Sequence, residues 1–421
     1  MAKSRFLTTT GIALLGGALG LQGAGLWLYE RGTPDSMTAV AGRTALALDA
    51  STAVSNPAGM TRLEKKELVL GIQPMYMDFQ FEPDSRTTVS GDDGGQAGGF
   101  TPGGGFYMVH PLTDRLRLGF SNFSVYGAAQ DFGDGFAGRY TVTSAELLTL
   151  TLGPSLGYRV NDWLSVGAGV YFTYAMLDQD IAVPRLEAGD GTVTLEDEAL
   201  GYCGSLGLLF HPCESFRVGV AYTTETKLKF EDVLSARGLG EGQQWLLGHL
   251  GLSSGKMDMD MTLPQGVMVS LYQELNERWV LVANLGWQDS SEAGQMDVDI
   301  DAPAGSVETT LDRRFHDTYH VALGARCHLN DKLTWGFGVA YDTSPVDDED
   351  RTIDMALDRQ WRYATGLQYA ISERTTLGVA YTFLDLGKAP VDQTYASGQR
   401  LAGEFDHNYA HIVTLTLGVQ F

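Results

Sequence analysis

The chain has 421 residues, 52 of them acidic against 29 basic, for a formal net charge of −23. Such a surface repels nucleic acid, and three cysteines at wide, irregular spacing (Cys203, Cys213, Cys327) outline neither a disulfide framework nor a zinc site. The length fits two or three soluble domains or one large closed barrel.

Lys3 and Arg5 precede an apolar run from Phe6 to Leu21, and the small residues Gly23 and Ala24 follow. This is the pattern of a secretory signal peptide over residues 1–23, because the run falls short of the ~20 residues a spanning helix needs. Residues 24–66 form a prelude of small and polar residues. Within it, Ser36 to Leu48 ("SMTAVAGRTALAL") reads as a short helix with Asp35 or Ser36 as its cap, and "NPAG" at Asn56 to Gly59 reads as the turn that ends it. The first strand is expected from Glu67 to about Phe79.

From there the chain alternates. "LLTLTLGPSLGY" sets Leu148, Leu150, Leu152, Leu156 and Tyr158 against Thr149, Thr151, Gly153, Ser155 and Gly157, and "LTWGFGVAY" and "HIVTLTLGVQF" repeat the pattern. In a soluble sandwich the face opposite the apolar one is solvated and rich in Lys and Glu. Here it is mostly Gly, Ser, Thr and Ala, which suits a crowded barrel lumen. Trp279 and Trp287 lie on one face of one strand. At ~3.3 Å per residue and a ~40° tilt their separation spans roughly 20 Å, close to the apolar band of an outer-membrane barrel.

Tight polar turns occur around Asp114, Asp162, Glu214, Glu277, Asp331 and Glu373, and longer glycine- or acid-rich segments lie between them. Short turns on one side and long loops on the other, with both termini periplasmic, predict an all-β fold: a 14-stranded antiparallel transmembrane β-barrel over residues 67–421. A lumen that wide is not filled by wall side chains alone. The partly helical prelude of residues 24–66 is therefore expected to plug it as a hatch.

Other groupings point to little chemistry. His407 and His411 would share a strand face about 13 Å apart, too far for one metal ion. "DDED" at Asp347 to Asp350 reads as a solvated loop, and "MDMDM" and "DVDID" read as strands continued beyond the membrane. No serine–histidine arrangement of the outer-membrane phospholipase kind stands out. Neither an enzyme activity nor a cofactor is expected.

The prelude "ALDASTAVSNPAGMTRL", "YDTSPVDDEDR" from Tyr341 to Arg351, "DRQWRYATGLQY" after it and the terminal Phe421 together resemble the FadL/TodX-type (OMPP1) outer-membrane transporters of long-chain fatty acids and other hydrophobic compounds. The resemblance covers essentially the whole mature chain. It implies a Gram-negative outer-membrane location, capture of ligand at the outer loops, transfer to an internal pocket, and lateral exit through a kink in the third strand. The hatch motif falls on Asn56, Pro57, Ala58 and Gly59, and the kink on "VYG" at Val125 to Gly127, with Tyr126 and Gly127 at the lateral gate. Gly127 also reads as an ordinary strand-end glycine. The family counterpart of "AGLWLYE" reaches the internal pocket, which makes Leu26 and Trp27 pocket residues.

Trp245, Leu246, Leu247, Leu250 and Leu252 concentrate apolar surface in the fourth outer loop, either as a capture site or as a loop packed on itself. Met176, on the fifth strand, stands at an internal-pocket position where the fatty-acid transporters carry an arginine. Arg313 and Arg314 are then the candidates for a carboxylate clamp, or else they pair with Asp312 or Asp317. A long-chain fatty acid is the first reading of the ligand and an uncharged hydrocarbon, aromatic or aliphatic, the second. The expected partners are that ligand, outer-membrane lipid and lipopolysaccharide, and the barrel-assembly machinery, for which Phe421 is the signal. The protein is expected to be a monomer.

Overall fold

Alternation of apolar and small residues along the chain builds a single wall of antiparallel strands. The computed structural model describes residues 29–421 except 125–126, 185–188, 232–233, 239, 241–255, 302–306 and 396. The signal-peptide residues, Leu26 and Trp27 lie outside the described residues, as do Tyr126 and the apolar residues of the fourth outer loop.

Fourteen staves make the wall. They are β1 (Glu67–Ile72, continued by Met75–Pro83), β2 (Phe100–Thr101 and Gly104–Pro111), β3 (Leu116–Phe123 and Gly127–Asp131), β4 (Ser144–Arg159) and β5 (Leu164–Val183). They continue with β6 (Gly191–Cys213), β7 (Phe216–Thr223, then Thr226–Phe230), β8 (Lys256–Leu263 and Gly266–Glu274), β9 (Trp279–Gln288 and Gln295–Asp301) and β10 (Val307–Asp312 and Thr318–Asn330). The last four are β11 (Leu333–Asp342), β12 (Gln360–Ser372), β13 (Thr375–Asp385) and β14 (Arg400–Gln420). Each stave pairs with the next, and β1 closes on β14 with Glu67 opposite Gln420 and Met75 opposite Ile412. Closure leaves the sheet without a free edge.

The outward face carries the apolar residues of the alternation. Trp163 packs on Phe210 and Trp335 on Phe337 toward one rim, and Tyr341 packs on Trp361 toward the other. These are the two aromatic tiers that flank the hydrocarbon layer. Above the outer tier, the extensions of β7 to β10 leave the barrel and form a separate four-stranded sheet. Its Met/Asp alternation buries Met257, Met259 and Met261 and turns Asp258 and Asp260 outward.

Two arginines tie down the outer loops. Arg351, fully buried, donates to the carbonyls of Leu357, Pro390 and Val346 and to the Asp348 carboxylate. Arg139 reaches Asp190 at 2.7 Å and the carbonyls of Ser90 and Phe136. One guanidinium can satisfy several such acceptors at once, which is why arginine rather than lysine holds these junctions.

Residues 29–63 lie inside the barrel, against inner-face residues of staves all round the wall. Their path is not the continuous helix expected over Ser36 to Leu48. A 3₁₀ turn at Pro34–Thr38 is followed by left-handed Ala39 and Val40, a single α-turn at Arg43–Leu46, and left-handed Ala47. The expected cap is absent as well, because the Asp35 carboxylate binds Thr33 and Arg43 instead of the helix start. "NPAG" does not end that helix either: Asn56 caps the end of a separate one-turn helix, Thr52–Ser55, and begins a second 3₁₀ helix, Pro57–Arg62.

The wall explains the bent path, because the segment is pressed onto backbone where the lumen face has glycine. A Cβ on Gly71 would lie 1.8 Å from the Gly32 oxygen, one on Gly219 1.9 Å from the Thr44 oxygen, and one on Gly338 2.1 Å from the Thr38 oxygen. The small-residue face is a mould for this segment.

Candidate functional site

Polar contacts fix the segment in that mould. Asn56 donates to the carbonyls of Thr44 (2.7 Å) and Leu208 (2.9 Å) and accepts from Ala58 N. Asn284 of β9 accepts from Gly42 N and donates to the Val40 oxygen, both at 2.7 Å. Arg217 reaches the Leu46 carbonyl, Arg117 the Leu63 carbonyl and Tyr171 the Ala53 carbonyl. Within the segment Arg43 pairs with Asp35 at 2.6 Å. Burial pushes the Asp35 carboxyl up, but the facing Arg43 outweighs it and the net shift is downward.

Two chambers remain above and beside the segment. The upper one, about 720 Å3 of space partly open to solvent, is walled by Leu147, Met261, Leu263, Phe315, Met355 and Leu357. Its floor is Tyr29, Asp342 and Arg362. Arg362 bonds Asp342 and Gln360, lies 3.3 Å from Glu30 and stacks on Tyr29, while His320 Nδ1 meets the other Asp342 oxygen at 2.8 Å. The lower one, about 530 Å3 of space likewise partly open to solvent, is bordered by Arg31, Arg43 and Val54 of the segment and by residues of β7 to β9. Tyr29 and Gln288 line both.

The wall is interrupted at β3. Its first piece pairs on both sides, Gly105 facing Phe123 and Leu116 facing Tyr158, but its second piece pairs with β4, Gly127 facing Leu148. Opposite that second piece, the short Phe100–Thr101 piece of β2 pairs with β1. Across the gap Asp131 N donates to the Ala97 oxygen at 2.8 Å. About 590 Å3 of space open to solvent lies at the gap, between residues 97–101, 129–131, 144–146 and Asp178. Phe100 at its edge is 80% exposed on the outer face.

Other residues singled out in the sequence fall elsewhere. Met176 is 42% exposed, on the outward face of β5 with Val170 and Phe172, so it is not an internal-pocket residue. Strand parity forces this, since Tyr171, Thr173, Ala175 and Leu177 occupy the inner face. Arg313 pairs with the buried Asp354 at 2.8 Å and the Arg314 guanidinium with Asp350 at 2.9 Å, while the Arg314 N–H bonds the Asp312 carboxylate, so each candidate clamp residue already faces a carboxylate. His411 bonds Tyr381 and His407 bonds Gln80, on the outer wall. Phe421 is 63% exposed at the rim, with its N–H on the Lys66 oxygen.

The wall is thus a closed barrel of fourteen staves with an occupied lumen. The family model of outer membrane protein transport proteins (OMPP1/FadL/TodX) matches residues 17–421. The chain belongs to this family. It is 26% identical to the long-chain fatty acid transport protein of Escherichia coli O6:H1, over 91% of this chain and 92% of the relative. It is 22% identical to outer membrane protein P1 of Haemophilus influenzae, over 88% of each.

Among solved structures, a Pseudomonas aeruginosa FadL homologue superimposes with a TM-score of 0.82 at 20% identity, covering 94% of this chain and 99% of that one. The Pseudomonas putida toluene transporter TodX gives 0.66 at 16%, covering 88% and 94%. Both share the fold. The OMPP1/FadL/TodX assignment makes this an outer-membrane transport barrel of a Gram-negative bacterium, and the family is one of transporters rather than enzymes.

Of the residues that shape the interior, sequence reasoning missed Gln73, Arg217, Asn284, Asp342 and Arg362. Arginine at a lumen-facing position of an alternating strand was a usable signal for Arg217 and Arg362. Asn284 gave none.

Proposed function

We propose that this protein takes up long-chain fatty acids by passive diffusion: capture at the outer loops, descent into the upper chamber, and sideways release through the break in β3 around Gly127. The observation that carries this reading is the break itself, beside a lumen that residues 29–63 occupy. A blocked axial path leaves a hydrophobic solute a lateral one, and the gap is the site at which it would leave the barrel. The hatch role of Asn56 to Gly59 rests on the same contacts. The fatty-acid transport name of the E. coli relative favours a fatty-acid ligand.

A second reading, an uncharged hydrocarbon, is favoured by one feature of the upper chamber. Its cation, Arg362, already faces Asp342 and Glu30, so nothing there prefers a carboxylate. We also propose that the barrel acts as a monomer, meets lipopolysaccharide at its outer rim, and presents Phe421 to the assembly machinery.

The test is to staple the gap. Cysteines replacing Ala97 and Asp131, whose backbones already bond at 2.8 Å, should form a disulfide in a Cys213→Ser background. Oleate uptake by cells that lack another fatty-acid transporter should fall to background and return on reduction. Undiminished uptake with the disulfide formed would exclude lateral release.

A further inference from the structure

The space at the β3 break is charged on one side only. Residues 97–101, on the side of β1 and β2, are Ala, Gly, Gly, Phe and Thr. The opposite side carries Asp131, Glu146 and Asp178, and none of the three forms an ion pair with a described residue. Asp131 Oδ1 accepts from Gly133 N in its own turn.

We propose that these three carboxylates make the β3 break an anion filter, through which a fatty acid leaves the barrel as the neutral acid while its carboxylate form is held back. This deepens the uptake reading above and rests on it.

Strand register carries the argument. Glu146 of β4 stands opposite Ala129 of β3 on one side and opposite Asp178 of β5 on the other, and Asp178 in turn stands opposite Glu196 of β6. Like charges set directly across strands repel. One rung down on the same outward face, Leu148 stands opposite Met176, and exposed Leu150 and Phe172 follow. The acids therefore stand where the apolar outer face begins, beside the break.

Neighbouring charges do not cancel this row. Asp180 and Glu198 flank it on β5 and β6, and across the break Asp78 of β1 accepts from Tyr409, with His407 3.5 Å away. Inside the wall Arg31 stacks on Phe123, but the buried guanidiniums of Arg31, Arg43 and Arg362 are balanced by Asp35, Asp342 and Glu30. A carboxylate brought into the break meets like charge, which favours its protonated form. It takes that proton from water before the break and returns it to water beyond. A neutral alcohol or hydrocarbon passes without the repulsion.

The experiment measures initial uptake of tritiated oleate and oleyl alcohol between pH 6.5 and 8.5, per inserted barrel, in cells that lack another fatty-acid transporter. Three full-length chains are compared: the parent, Asp131→Asn/Glu146→Gln/Asp178→Asn at the break, and Asp297→Asn/Asp299→Asn/Glu308→Gln on the separate outer sheet. Because the neutral fraction of a carboxylic acid falls about tenfold per pH unit above its pKa, oleate uptake by the parent should drop about fivefold or more across this range, and alcohol uptake should stay level. At pH 8.5 the break variant should exceed the parent about threefold on oleate and less than about 1.5-fold on the alcohol, and at pH 6.5 the two should agree. The outer-sheet variant should follow the parent throughout. No gain on oleate at pH 8.5, an equal gain on the alcohol, or the same gain in the outer-sheet variant would overturn the proposal. Should the break variant fail to insert, Glu146→Gln/Asp178→Asn, which keeps Asp131 in its turn, decides in the same way with a gain of about twofold. Oleate uptake no higher than in cells without the barrel, at every pH, overturns the uptake reading itself.

Discussion

At the scale of single residues, the hatch is held by charge as much as by shape. Asp35 and Arg43 are both buried, and neither tolerates losing the other. Asp35→Asn leaves an uncompensated guanidinium inside the barrel, a defect that costs about 3–5 kcal/mol. Because the folded carboxyl titrates lower than an ordinary one, the pair contributes its stability above the usual carboxylate range and loses it as pH falls through the lowered value. The difference in protease protection of residues 29–63 between the parent barrel and Asp35→Asn should therefore stay constant from pH 8 to 5 and decline only below about 4. A decline already between pH 7 and 6 would show that another group governs docking.

Elements differ in how far their sequence announced them. The fourteen staves and six tight turns were legible because alternation has a period of two and each short turn has its own chemistry, as at "RVNDWL", where Asn161 Oδ1 accepts from Trp163 N and Leu164 N. The "MDMDM" strand was legible for the same reason. Hatch geometry was not, because helix signals in "SMTAVAGRTALAL" compete with wall backbone some 180 to 300 residues away, and the wall wins at Ala39, Val40 and Ala47. Met176 was misplaced although parity along "VYFTYAM" already put it with Val170 and Phe172.

The moulding of the wall is testable on single strands. Gly338 on β11 and Gly418 on β14 both belong to the small-residue face. A Cβ on the first would lie 2.1 Å from the Thr38 oxygen, whereas the nearest atom to one on the second is 3.9 Å away. Gly338→Ala must push the hatch or bend β11, a strain of about 1–3 kcal/mol, while Gly418→Ala should change stability by less than about 0.5 kcal/mol. In planar bilayers Gly338→Ala is expected to show frequent ion-conducting openings and Gly418→Ala the quiet trace of the parent. Equal traces would mean that close backbone contact does not hold the hatch closed.

For the whole molecule, barrel and hatch carry separable loads. Fourteen strand pairings close the wall on itself, and none uses a residue before Glu67. The hatch fills a lumen whose lining is rich in glycine, serine, threonine and buried polar side chains such as Arg217 and Asn284, which water would wet readily. Removing residues 29–63 should leave an inserted barrel, seen as a retained heat-modifiable gel shift, while single-channel conductance rises to the level of an open porin. Thermal stability should fall too, because Arg117, Arg217 and Tyr171 would lose their hatch carbonyls and face water in a polar pore. If the truncated protein inserts and still conducts no ions, the outer loops alone seal the barrel, and Arg139 and Arg351 become the residues that govern entry.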